Sequence, residues 1–179
     1  VEFEGTIESL TPPMLRVAGR AVVTDADTHL HGQGHTHSLN DFKVGDEVYS
    51  RPADRRIGTF AEFVAVSERD VALKPKNVTM EEAASIPLVG LTAWQVLVEK
   101  ADLKKGQKVF IQAGSGGVGT FAIQLAKHIG ATVATTTSAA NVELVRRLGA
   151  DVVVDYKKDD FATQLNGYDV VLNSQDAKT

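Results

Sequence analysis

The chain has 179 residues, a net charge of −4 at pH 7, 43% apolar and 23% charged residues, the composition of a folded globular protein. It offers no basic stripe for nucleic acid and no apolar run of the roughly 18 residues that a membrane span needs. It contains no cysteine, which excludes disulfides, thiolate zinc sites and a cysteine nucleophile together and fits a reducing compartment.

Residues 1 to about 40 read as β. "VEFEGTIESL" alternates and stops at Pro12-Pro13, and it carries no basic region ahead of an apolar core, so a soluble, cytoplasmic protein is expected. "MLRVAGRAVVTD" reads as two short strands around Gly19, and "THLHGQGHTHSLN" as a polar loop. Val44–Tyr49 is a turn feeding a strand. In "GTFAEFVAVSERDVALKP", Phe60, Phe63, Val64 and Val66 suggest a half-buried strand that Pro75 closes.

The period then changes. Thr79 with Glu82 three residues on forms a capping box, and Pro87 breaks or restarts the helix. From Gln107, strands and helices alternate: strand Lys108–Gln112, helix Gly117–His128, strand Ala131–Thr136, helix Asn141–Leu148 capped by Gly149, then strands Asp151–Val154 and Asp169–Leu172. Val118, Phe121, Ala122, Leu125 and Ile129 fall on one face of the first of these helices. Such alternation implies right-handed crossovers onto a parallel sheet. The fold class is α/β, a partial Rossmann-type doubly wound parallel sheet behind a small β-rich domain. The expected domains are 1–78 and 79–179.

Between the first strand and helix stands G-S-G-G-V-G, a G-x-G-x-x-G at Gly114, Gly116 and Gly119, with a fourth glycine at Gly117. In strand–turn–helix context the first glycine permits a tight turn, the second lets the backbone approach a pyrophosphate, and the third lets helix and strand pack closely. The helix N-terminus adds unpaired N–H groups and partial positive charge, which stabilise an anion. An NAD site places a carboxylate about 20 residues on, at the end of the second strand. Here that strand ends "TTTSAAN", and no carboxylate occurs between Asp102 and Glu143. The gap favours NADP. Ser138 and Asn141 can cap the second helix and face a 2′-phosphate, with Arg146, Arg147, Lys157 and Lys158 as sources of charge.

The stretches "FKVGDEVYSRP", "GTFAEFVAV", "EEAASIPLVGLTAWQVL", "KKGQKVFIQAGSGGVGTFAIQLAKHIGA" and "LGADVVVDYKKDDF" resemble the zinc-independent branch of the medium-chain dehydrogenase/reductase superfamily. That branch comprises the quinone oxidoreductase-like, or zeta-crystallin-like, proteins and their enone reductase relatives. The resemblance covers about residues 40–179. It implies a GroES-like remnant over 41–78 and an NADP-binding Rossmann domain over 79–179. The implied activity is NADPH-dependent reduction of quinones or activated C=C bonds, and no catalytic side chain is assigned, because the cofactor carries the chemistry. Gly116, Gly117, Val118 and Gly119 would lie against the pyrophosphate. Thr137, Ser138 and Asn141 would surround the 2′-phosphate. Tyr156 would approach the adenosine end and Thr92 the nicotinamide.

Two departures are expected. Residues 1–40 are atypical of the family. The chain also stops after the fourth Rossmann strand, so Val170–Leu172 would form an exposed apolar edge on which a second copy can pair. His29, His31, His35 and His37, in "HLHGQGHTH", have H-x-H spacing that suits Zn²⁺, Cu²⁺ or Ni²⁺. They support the alternative of a non-catalytic dinucleotide-binding fragment, or a chimera joined to a β interaction or metal-binding module.

Overall fold

The computed structural model describes the backbone of residues 3–11, 14–17, 20–23, 30–32 and 35–37, and backbone with side chains for 46–52, 59, 66 and 70–175. The chain divides into two compact units, Val1–Leu88 and Val89–Thr179.

The first unit opens with β1 (Phe3–Thr11), β2 (Met14–Val17) and β3 (Arg20–Val23). Pro12 and Pro13, which lack the N–H a ladder needs, separate β1 from β2. The segment expected to be a polar loop instead contains β4 (Leu30–Gly32) and β5 (His35–His37), which pair antiparallel. Their connection is Gln33-Gly34. A two-residue connection with glycine is a hairpin signal, and the polarity of the stretch hid it. β6 (Glu47–Ser50) and β7 (Val71–Leu73) complete an antiparallel sheet of order β3-β2-β1-β6-β7. The expected strand around Phe60, Phe63 and Val64 lies outside the described residues.

Val48 and Val71 bury their side chains, and Lys74 ties the edge with Nζ 3.1 Å from the Glu47 carboxylate and 2.6 Å from the Val78 carbonyl. Helix α1 (Met80–Ala84) begins at the expected box: Glu82 N–H donates to Thr79 Oγ1 at 3.2 Å, and Thr79 N–H to Glu82 Oε2 at 2.8 Å. The helix lies against β1 and β6.

Helix α2 (Pro87–Trp94) restarts at proline, which is preorganised for the first helical position. It runs on into a π-helical segment, Gln95–Lys100. The rest of the second unit alternates: β8 (Lys108–Ile111), α3 (Gly117–Ile129), β9 (Thr132–Thr137), a 3₁₀ turn at Ala139–Asn141, α4 (Val142–Arg147), β10 (Val152–Asp155), α5 (Phe161–Gln164) and β11 (Val170–Leu172). The four strands are parallel in the order β10-β9-β8-β11. Successive strands step outward from β8 on one side, and β11 returns to its other side, so the winding reverses at β8.

Alternation in β8 sorts its side chains. Val109 and Ile111 are fully buried with Leu97, Ala122, Ile123, Ala126 and Val133. Phe110 faces the opposite way, against Phe161 and Tyr168 at 5.4 and 6.2 Å between ring centroids. Each fully buried Leu or Ile here is worth about 1.5–3 kcal/mol relative to exposure. The core face of α3 centres on Gly119, Ala122, Ile123 and Ala126, while Val118, Phe121, Leu125 and Ile129 pack only partly buried along its margin. The small residues at the centre let helix and sheet approach closely.

α3 ends at Gly130 (φ +94°), and the turn after α4 uses Gly149 (φ +112°), both left-handed as C-terminal caps require. Asp151 then locks β10 into place. Its carboxylate accepts the Val133 N–H at 2.7 Å and Lys127 Nζ at 2.9 Å. Partial burial raises the pKa of Asp151, but these donors together outweigh it, leaving the group below its ordinary value. Among the described residues no helix is long and apolar enough to cross a membrane.

Candidate functional site

Strand β8 ends at Ile111, and the chain must turn sharply to start α3 six residues later. The residue that takes the left-handed conformation is Ala113, at φ +56°. Gly114 itself is not among the residues at positive φ. Gly114 has another task. A Cβ there would stand 2.1 Å from Thr135 Oγ1 and 3.0 Å from Ile123 Cδ1, so the position is closed by β9 on one side and α3 on the other. The turn is pinned to β9 by two bonds: Ala113 N–H to Thr136 Oγ1 at 3.0 Å, and Gly114 N–H to the Thr136 carbonyl at 2.9 Å.

Gly119 has the packing role expected of the third glycine. A Cβ on it would meet the Ala113 carbonyl oxygen at 2.4 Å and Gly114 Cα at 2.7 Å. Gly116 differs from both. It is exposed, with φ −78° and ψ 167°, and a Cβ would meet only the Ala113 carbonyl oxygen, at 3.2 Å. Gly116 is also the N-cap of α3, and no side chain caps it. The first helical bond is Thr120 N–H to the Gly116 carbonyl, at 2.9 Å. The N–H groups of Gly117, Val118 and Gly119 therefore belong to the open first turn. Val118 turns its side chain to the core margin, so what it offers here is its backbone. Gly117 is exposed and lies beside Val89 of α2.

Past the turn, a cavity of about 580 Å³ opens at the carboxyl ends of the strands. It is lined by Gln112, Ala113, Ser115 and Gly116 from the β8–α3 turn and by Thr136 and Thr137 from β9. Tyr156, Asp159, Asp160 and Phe161 from beyond β10, and Gln175 from beyond β11, complete it. This is where open parallel sheets hold ligands, outside the strand ends where the winding reverses.

The polar groups on its β9 side are cross-linked. Thr137, 1% exposed, donates from Oγ1 to Ser115 Oγ at 2.8 Å, and Asn141 Nδ2 donates to the same oxygen at 3.4 Å. Tyr156 N–H reaches the Thr137 carbonyl at 3.3 Å, and the residue is 56% exposed. The structure thus brings Gly114, Gly116, Gly117, Val118, Gly119, Thr137, Asn141 and Tyr156 to one end of the sheet.

Ser138 follows Thr137 at the start of the 3₁₀ turn, half-buried. Neither Ser138 nor Asn141 caps a helix with its side chain, contrary to expectation, and the Asn141 amide is turned toward Ser115 instead. Thr92 is half-buried inside α2 and does not line the cavity. Of the histidines, His29 lies outside the described residues; the register of β4 and β5 sets His31 opposite Thr36 and His35 opposite Gly32.

Ser115, Phe161, Asp159, Asp160 and Gln175 were not singled out from the sequence. Ser115 occupies a variable place in the glycine pattern, and the others reach the cavity only through the packing of β10, α5 and β11.

Residues 117–177 match the family model described as "Zinc-binding dehydrogenase". The chain is 44% identical over 144 residues to 2-methylene-furan-3-one reductase from Solanum lycopersicum, covering 76% of this chain and 37% of that protein. It is 41% identical over 145 residues to the chloroplastic NADPH-dependent alkenal/one oxidoreductase from Arabidopsis thaliana, with the same coverage of 76% and 37%. Among solved structures, the quinone oxidoreductase from Coxiella burnetii superposes with a TM-score of 0.71 at 28% identity, over 95% of this chain and 58% of that one. The chain therefore spans less than two fifths of the length of these two curated relatives. A parallel four-stranded sheet, a glycine-lined helix start and this degree of identity agree: over the residues they share, the chain is similar to the quinone and enone reductases of the medium-chain dehydrogenase/reductase family.

Proposed function

We propose that the protein is an NADPH-dependent oxidoreductase that reduces quinones or activated C=C bonds, with the β8–α3 turn and the adjoining cavity holding the cofactor. The observation that carries this reading is the open first turn of α3. Its N-cap, Gly116, has no side-chain cap and lines a cavity at the strand ends, with the N–H groups of Gly117, Val118 and Gly119 following directly in the chain. The residues fit a dinucleotide in chemistry as well as place. Gly116 leaves the backbone bare where a diphosphate must come close. Gly117, Val118 and Gly119 would donate their N–H groups to it, reinforced by the α3 dipole. Ser115, Thr137, Ser138 and Asn141 would surround the ribose and its 2′-substituent. Tyr156 and Phe161 would offer rings to the adenine, and Thr92 in α2 would approach the nicotinamide.

When bound, NADPH supplies a hydride to the electron-poor acceptor. The protein's part is to bind, orient and exclude water, so no acid–base pair is required of it. The relatives named above support the acceptor class: one is named for an enone substrate and one as an alkenal/one oxidoreductase. The chain has no cysteine, and among the described residues no three His, Cys, Asp or Glu side chains cluster as metal ligands. A thiolate zinc site does not fit this sequence.

We read residues 41–78 as a GroES-like remnant, residues 79–179 as the cofactor domain, and the setting as cytoplasmic. The test of function is NADPH oxidation followed at 340 nm with 1,4-naphthoquinone and with but-3-en-2-one. Acceptor-dependent oxidation above the blank supports the reading. Tight NADPH binding with neither acceptor reduced would replace it by the non-catalytic dinucleotide-binding alternative.

A further inference from the structure

The cavity carries charge of the wrong sign to hold an added phosphate strongly. No lysine or arginine is among its described lining residues, whereas Asp159 and Asp160 both are. A third carboxylate stands next to them: Asp155, paired in register with Thr137, the last residue of β9.

The bases expected from the sequence to serve this end are directed elsewhere or stand outside. Lys158 Nζ lies 3.8 Å from Asp155, so these two charges offset each other and leave the lining pair Asp159 and Asp160, and Arg146 lies 3.8 Å from Glu143 on the surface of α4. Arg147 and Lys157 are exposed and do not line the cavity.

What remains at the end of β9 is neutral. Ser115 Oγ is the hub that accepts from Thr137 and Asn141. That leaves the Ser115 hydroxyl proton and the second Asn141 amide proton as donors. Such groups bond a ribose hydroxyl and a phosphate oxygen alike. Strong selection for a phosphate needs a cation, because charge-assisted bonds are about twice as strong as neutral ones.

We infer that this cavity discriminates only weakly between a 2′-phosphate and a free 2′-hydroxyl, so that NADH is accepted alongside NADPH, and that Asn141 is the residue that sets the ratio. The inference rests on the dinucleotide reading above and goes beyond it, since that reading names NADPH as the reductant. Backbone N–H groups and glycines hold the part common to both cofactors. The part that differs meets two hydroxyls, an amide and nearby carboxylates.

The experiment is calorimetric titration of the whole chain with NADP⁺ and, separately, NAD⁺ at equal ionic strength, for the wild type and Asn141→Lys. The wild type is expected to bind the two within tenfold of each other. Asn141→Lys is expected to tighten NADP⁺ by at least tenfold and to raise the ratio of NADP⁺ to NAD⁺ affinity by at least as much. A thermal melt confirms that the variant is folded; if it is not, the wild-type ratio alone decides. A wild-type preference for NADP⁺ above tenfold overturns the inference, as does a folded Asn141→Lys whose NADP⁺ affinity is unchanged. Absence of binding by both nucleotides overturns the dinucleotide reading itself, and the inference with it.

Discussion

The two sides of the cavity are built on different principles. The β8–α3 side presents backbone: a left-handed Ala113, three glycines with separate duties, and an uncapped helix start. The β9–β10 side presents side chains: a hydroxyl–amide cluster on Ser115, an exposed tyrosine and two lining carboxylates. The first side is fixed by steric exclusion at Gly114 and Gly119, where an added Cβ has no room. The second is fixed by hydrogen bonds, which can be traded among similar groups. Backbone therefore sets where a ligand sits, and side chains set which ligand it is.

Steric limits give the largest expected effect. Gly114→Ala forces a Cβ to within 2.1 Å of Thr135 Oγ1 as built, and overpacking of this kind costs about 3 kcal/mol. Thermal melting should show it, and the double change Gly114→Ala with Thr135→Ala should recover part of the loss, because the clash is shared between the two sites. Equal loss in the single and double variants would break the steric account of this glycine.

Gly116→Ala probes the contrast within the same turn. Its backbone is extended and the added methyl meets one oxygen at 3.2 Å, so stability should fall by no more than about 1 kcal/mol. NADPH affinity should drop roughly tenfold, about 1.4 kcal/mol. A variant that melts early yet binds normally would show that Gly116 serves packing, like its neighbours.

Asp151 lies away from the cavity and tests the scaffold beneath it. Its carboxylate is 39% exposed, so its bonds to Val133 and Lys127 are discounted for solvent, and Asp151→Asn should cost only about 1 kcal/mol. The sign with pH is definite. The folded-state pKa is lowered, so the stabilisation is complete above the unfolded value of about 3.9 and is lost as pH falls through the folded value. Wild type and variant should converge in denaturant midpoint below about pH 4. A difference that persists undiminished at pH 2 contradicts that role.

The smallest effect is expected at Tyr156. With Tyr156 exposed, Tyr156→Ala should leave stability within about 0.5 kcal/mol, while affinity for adenosine nucleotides falls a few-fold. Unchanged affinity would remove the ring from the ligand site.

The same division explains what could be read from the sequence. The β/α alternation, the capping box at Thr79, the restart at Pro87 and the cap at Gly149 are local signals, written within a few residues of where they act. The glycine spacing is local too, which is why the helix start was found. The left-handed residue Ala113 is not signalled by that spacing, since alanine is not a residue that marks positive φ in a sequence. The hairpin at Leu30–His37 was hidden by polar residues that give no apolar alternation. Ser138 and Asn141 look like helix caps in sequence. Asn141 turns to Ser115, 26 positions away, and no local pattern records that. Asp159, Asp160 and Gln175 reach the cavity through the order of the strands, so they are invisible until the sheet is assembled.

The central claim is that the first turn of α3 receives a diphosphate on its backbone N–H groups. Amide ¹H–¹⁵N spectra of the chain titrated with NADPH test it most directly. The account predicts saturable shifts that are largest at Gly116, Gly117, Val118 and Gly119, with smaller ones at Ser115 and Tyr156. Saturation with those four amides unmoved, and the largest shifts elsewhere, would contradict it.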